Sequence, residues 1–142
     1  VCAVFRRFLR SQHLKFTPER AAILDAVLVK TGFFEAEVLI EDLRQMGRSA
    51  SRATIYRTLT HLQDAGILKQ VVFSNRQSFY EVIAGRESSD YLVCVVSGKV
   101  VPFHSARLRE LREAICREHG FDLISHEMHI FGISPEAKKK EQ

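Results

Sequence analysis

Residues Ser51–Gly66 read SRATIYRTLTHLQDAG, and the rest of the chain is organised to hold this stretch. The Ser51 hydroxyl suits a helix N-cap. Ile55, Leu59 and Leu62 fall at i, i+4 and i+7, an apolar stripe along one face. Gly66 closes the helix, because glycine accepts the left-handed conformation that ends one. The other face carries Arg52, Thr54, Tyr56, Arg57, Thr58 and His61, with no acid before Asp64. An apolar back and a cationic, hydroxyl-rich front suit the DNA major groove, where Arg, Thr and Tyr reach base edges and phosphates. An ordinary amphipathic surface helix has the same outline, so the flanking segments must decide.

Upstream, Glu35–Met46 has helical spacing, with Val38, Leu39, Leu43 and Met46 inward and Gly47 as terminator. Residues 47–50 make a tight connection to the Ser51 helix. Two helices so joined, the second polar on its open face, form a helix-turn-helix pattern. Before them, Thr17-Pro18-Glu19 is a strong helix start: a capping hydroxyl, proline at the first position, then an acid at the positive end. Ile23, Leu24, Val27 and Leu28 supply that helix's buried face, and residues 4–14 predict a shorter amphipathic helix. Downstream, Ile67–Phe73 and Ser78–Ile83 are β-branched and aromatic runs around the polar turn Ser74-Asn75-Arg76-Gln77. This order is that of a winged helix. Asn75 and Arg76 at the tip would lie along the DNA backbone or minor groove; a plain surface hairpin is the alternative.

Ala84–Ser89, AGRESS, is small and polar and reads as a linker. Beyond it, Tyr91–Val96 and Val100–Phe103 predict strands, Ser105 caps a helix to about Glu118, and Leu123–Phe131 predicts a third strand. Three strands and one helix are too few to stand comfortably alone, so dimerisation would complete them. The expected fold class is α+β: an N-terminal winged helix-turn-helix domain over 1–84, a hinge at 85–89, and a small C-terminal α/β (β-β-α-β) dimerisation domain over 90–133. Residues 134–142, ending near Lys138–Lys140, read as a solvated tail.

The chain has 142 residues, 46% of them hydrophobic, enough for one domain or two small ones. Residues 1–86 hold 13 Lys/Arg against 8 Asp/Glu, and residues 87–142 hold 8 against 9. The basic excess lies in the half that carries the Ser51 helix, the footprint of a phosphate-bearing partner. No apolar run reaches membrane-spanning length, and the arginines of VCAVFRRFLR argue against a signal peptide. Cys2, Cys94 and Cys116 are odd in number and widely spaced, which points to a reducing cytoplasm rather than a disulfide framework. Cys94, in the apolar VCVV, reads as a buried inert thiol; a redox sensor would need an exposed, low-pKa thiolate. Cys116-x-x-His119 lacks a visible third orienting group, so no enzyme and no small-molecule substrate are expected.

Ser51-Arg52-Ala53-Thr54-Ile55-Tyr56-Arg57-Thr58-Leu59 and Asp64-Ala65-Gly66-Ile67-Leu68 resemble the ferric uptake regulator (Fur) family of bacterial repressors. The likeness extends to Leu14-Lys15, Thr17-Pro18-Glu19-Arg20 and Phe79-Tyr80-Glu81, and more weakly to Gly98-Lys99-Val100, Gly120-Phe121 and His126. The resemblance implies a homodimeric, metal-responsive transcription regulator that binds double-stranded DNA at an AT-rich inverted repeat. It implies that Tyr56 contacts thymine, that Arg57 contacts base or phosphate, and that Lys15 enters the minor groove. The chemistry agrees: a tyrosine ring packs on a thymine methyl, and Lys or Arg suits a narrow A-tract groove. Arg20 and Arg52 suit phosphates, beside Ser51 and Thr54 at the helix start.

The departures from the family pattern concern metal. Where the family has a His-rich stretch, this chain has Ser88-Ser89-Asp90-Tyr91, and the usual CxxC is Cys94-x-x-Ser97. A sensing histidine is replaced by Phe33, one family glutamate by Pro102 and another by Arg109. Glu81, Asp90 and His126 keep a ligand type. Structural zinc wants four N/S ligands, and an arginine beside a site repels a cation. The expectation is a regulator whose metal-sensing sites are largely lost. Its rivals are a rebuilt zinc, iron or manganese site using Glu81, Asp90, His104, His126 or His129, and a winged-helix protein-interaction module that no longer reads DNA.

Overall fold

The structure is a computed structural model and describes residues 1–48, 50–72, 78–86 and 89–140. The chain divides into two compact units, Val1–Arg86 and Glu87–Gln142.

In the first unit α1 (Cys2–Ser11), α2 (Pro18–Leu28), α3 (Ala36–Gln45) and α4 (Arg52–Asp64) precede the antiparallel strands β1 (Leu68–Val72) and β2 (Ser78–Val82). The caps are those the sequence specifies. Thr17 Oγ1 accepts from Arg20 N at 3.2 Å, and Ser51 Oγ accepts from Thr54 N at 3.1 Å. Gly47 and Gly66 end α3 and α4 at φ of +70° and +76°. The helices meet in one core: Phe5 and Leu9 from α1, Ile23, Leu24 and Val27 from α2, Leu39 and Leu43 from α3, and Ile55, Leu59 and Leu62 from α4. Each such side chain contributes about 1.5–3 kcal/mol by leaving water. Val38 and Met46, expected inward, are exposed instead. The segment between α2 and α3 also joins the wing, since Phe34 and Tyr80 exchange backbone hydrogen bonds at 2.8 and 2.9 Å. Arg86 lies in the expected hinge but is tied back to the C-terminal end of α2, its guanidinium donating to the carbonyls of Leu28, the helix's last residue, and of Lys30 just after it.

The second unit comprises β3 (Asp90–Cys94), β4 (Val100–Phe103), α5 (Ala106–His119), β5 (His129–Gly132) and α6 (Pro135–Lys140). Its sheet runs β4-β3-β5, antiparallel between β3 and β4 and parallel between β3 and β5. Ser105 caps α5, accepting from Leu108 N at 3.3 Å, and Gly120 at φ +70° ends it. The structure differs from the expectation in three places, the first being that the strand expected over Tyr91–Val96 runs from Asp90 to Cys94. Residues 123–128 are irregular, so the third strand starts only at His129. Residues 135–140 are not a tail but a helix, with Ala137 buried and Lys99 paired to Glu136 at 3.7 Å. This unit has little core of its own. No residue of α5 is buried, and Leu92, Val101, Leu111, Ile115, Ile130 and Phe131 are all exposed.

Candidate nucleic-acid interface

Helix α4 turns Ile55, Thr58, Leu59 and Leu62 into the core. Its open face presents Arg52, Tyr56, Arg57 and Thr60, with Tyr56 41% exposed. Thr58 belongs to the buried face, its hydroxyl bonded to the Thr54 carbonyl at 2.8 Å. The polar N-terminus is already organised. Ser51 and Thr54 hydroxyls lie 2.8 Å apart, and Arg57 Nη2 stands 3.5 Å from Thr54 Oγ1. Arg52 pairs with Glu37 of α3, which joins the two helices of the helix-turn-helix and raises the guanidinium pKa further. Both partners are exposed, so the pair adds little stability and is screened by salt.

Lys15 is exposed between α1 and α2. Arg20 Nη1 donates to the Lys15 carbonyl at 2.6 Å, so Arg20 fixes the backbone from which Lys15 projects. His61, facing the same side in the sequence reading, is half-buried beside the Phe8 ring, centroids 6.3 Å apart. Asn75 and Arg76 lie outside the described residues.

The three residues of retained ligand type have other partners. Glu81 of β2 lies opposite Lys69 of β1, and its carboxylate is 3.9 Å from the Lys69 ammonium; side-chain exposures are 14% and 2%. Asp90, at the start of β3, is 3% exposed. His126 Nε2 donates to its Oδ1 at 2.9 Å, and Arg112 Nη1 approaches its Oδ2 at 3.4 Å. Arg109, which the sequence places beside this site, pairs instead with Glu113 on the exposed face of α5. The arginine that faces Asp90 is Arg112, one turn further on. His104 meets Ser89, and His129 packs edge-on against Tyr91. Phe33 remains 38% exposed, whereas Tyr91 is buried.

Cys94 is buried, as expected, but not in inert surroundings. The backbone N–H groups of Ser134 and Ser97 donate to Sγ at 3.3 and 3.4 Å. These donors favour the thiolate and lower the thiol pKa to about 6, against the opposing effect of burial.

A sequence model of the ferric uptake regulator family matches residues 11–131. The chain belongs to that family. The ferric uptake regulation protein of Neisseria meningitidis is 33% identical over 135 residues, spanning 93% of this chain and 92% of the relative. The ferric uptake regulator of Pseudomonas aeruginosa, solved with manganese, matches with a TM-score of 0.59 at 29% identity, covering 89% of this chain and 95% of that one. The Vibrio cholerae ferric uptake regulator matches at 0.52 and 28%, covering 91% and 98%.

Fur-family proteins are metal-responsive transcription regulators rather than enzymes, so the donor set of this member is the next question. Among the described residues no three His, Cys, Asp or Glu side chains gather as a metal ion would require. Asp90 and His126 do meet, but the nitrogen facing the carboxylate is the proton donor and a guanidinium covers the second oxygen. Around Cys94 the neighbours within hydrogen-bond reach are serines, which are poor zinc ligands. Taken unit by unit, the described residues bring together at most two side chains of ligand type, Asp90 and His126. Lys69 and Arg112 were missed by the sequence reading. Their only signal is a charge in unexpected company: a lysine within the strand run Ile67–Phe73, and a second arginine three positions after Arg109.

Proposed function

We propose that this Fur-family protein is a sequence-specific DNA-binding repressor that acts as a homodimer on AT-rich inverted repeats. In this reading the family's metal sensing is largely lost. The observation that carries it is α4: Ile55, Leu59 and Leu62 are locked in the core while Arg52, Tyr56 and Arg57 face outward in the basic unit. Major-groove readout needs such a rigidly backed helix, with hydrogen-bonding side chains at its N-terminal end. Lys15 is assigned a minor-groove contact and Arg20, Ser51, Arg52 and Thr54 phosphate contacts, and Asn75 and Arg76, outside the described residues, are assigned to the backbone or minor groove. The apolar surface of the second unit supports dimerisation, since exposed patches of this kind mark partner surfaces. A cytoplasmic location follows from the DNA partner.

Selection of genomic fragments by the purified protein tests this reading, run with chelator and with added zinc, iron or manganese. An AT-rich inverted repeat enriched equally in all conditions supports it. Enrichment that requires metal favours a metal-responsive regulator, the behaviour implied by relatives such as the manganese-containing Pseudomonas aeruginosa protein. No enrichment in any condition moves the assignment to a protein-interaction module.

A further inference from the structure

We infer that this chain carries its own cations at the carboxylates a metal would otherwise neutralise: Lys69 at Glu81 and Arg112 at Asp90. A carboxylate withdrawn from water needs a positive charge or several donors. Asp90 is 3% exposed and receives one of each kind, the His126 imidazole on Oδ1 and the Arg112 guanidinium on Oδ2. A divalent ion at this carboxylate would have to displace the proton that Nε2 donates, and it would meet a guanidinium that never deprotonates. Arg112 Nε is buried without a hydrogen-bond partner. The guanidinium therefore sits inward although its hydrogen bonding is incomplete there, which is the sign of a group held by charge. Lys69 makes the matching case in the other unit, an ammonium at 2% exposure directly across the β1–β2 ladder from Glu81. Lysine is almost never so buried unless paired.

The consequence is that each of these two carboxylates is neutralised by a side chain of the chain itself, which cannot leave as a bound ion can. Order around β2 and around the β3, α5 and 126 junction is then independent of metal supply. The inference rests on the proposed loss of metal sensing, but its test uses no DNA, so either can fail alone.

The test is thermal unfolding of the full chain with chelator and with zinc or manganese, together with a mutant cycle on Arg112 and Asp90. Wild type is expected to unfold at the same temperature in every condition and to show no stoichiometric metal uptake by calorimetry. Arg112→Gln removes the permanent positive charge from the buried Asp90 carboxylate, leaving it the His126 N–H, and is expected to lower Tm by about 5 °C or more. Adding Asp90→Asn to it is expected to recover much of that loss, and recovery of folding by the double variant counts equally if the single variant does not fold. Lys69→Met with Glu81→Gln should behave alike. Stoichiometric metal binding with a raised Tm in wild type overturns the inference, as do additive losses in the double variants.

Discussion

The proposed reading gives Tyr56 and Lys15 different roles. Tyr56 stands exposed on a helix fixed by the core and is assigned one base step; Lys15 projects from a segment held by Arg20 and is assigned an electrostatic contact. Tyr56→Ala is expected to weaken the preferred repeat by about tenfold or more and leave non-specific binding unchanged. Lys15→Ala should weaken all sequences alike and reduce the salt slope by about one, both readable by fluorescence anisotropy against a panel of duplexes. Cys94 yields a pH prediction. Its folded pKa of about 6 lies below that of the thiol in an unfolded chain, so the thiolate stabilises the fold. That contribution is complete above about pH 9 and disappears as pH falls through about 6, so wild type should gain stability over Cys94→Ser across that interval in denaturant titrations. The burial of Cys94 was legible in VCVV. Its thiolate character was not, because one of its donors, Ser134 N, comes from 40 positions away.

At the scale of elements, local chemistry was read well where it is complete within one turn. Thr17-Pro18-Glu19 and Ser51 start helices where expected, and Ser51→Ala should cost about 1 kcal/mol in urea unfolding while loosening the first turn of α4. The same grammar recurs at Ser134-Pro135-Glu136, where the Ser134 hydroxyl accepts from Ala137 N at 3.2 Å. It is written in the sequence in the same way, although the run Lys138–Lys140 that follows has the composition of a solvated end. Long-range pairing was less accessible. A turn confined to 74–77 would set Gln70 opposite Glu81, whereas the observed register sets Lys69 there. One residue of slip exchanges a neutral neighbour for a buried cation. The strand expected from Leu123 begins only at His129, and within the irregular stretch before it His126 meets Asp90, a partner 36 positions earlier that no periodicity announces.

For the whole molecule, charge and apolar surface are sorted between the two units. The basic excess of residues 1–86 predicts that DNA affinity falls about a thousandfold between roughly 50 and 200 mM salt. The second unit leaves Leu111 and Ile115 of α5 and Phe131 of β5 in water. A dimer is expected in sedimentation, and Ile115→Glu should shift it towards monomer and weaken binding to the inverted repeat with it, since half-sites are then held singly. The division into two units was legible from the polar linker and the change in residue pattern after it. The internal neutralisation of Glu81 and Asp90 was not, because it depends on which basic residue the folded chain brings to each carboxylate.

Metal-independent recognition is tested most directly by one titration: anisotropy of the purified protein against its selected inverted repeat, in chelator and in manganese. Dissociation constants that agree within about twofold, with Tyr56→Ala weakening both, are the predicted result. Binding that appears only when the metal is added, or that ignores the loss of Tyr56, would contradict it.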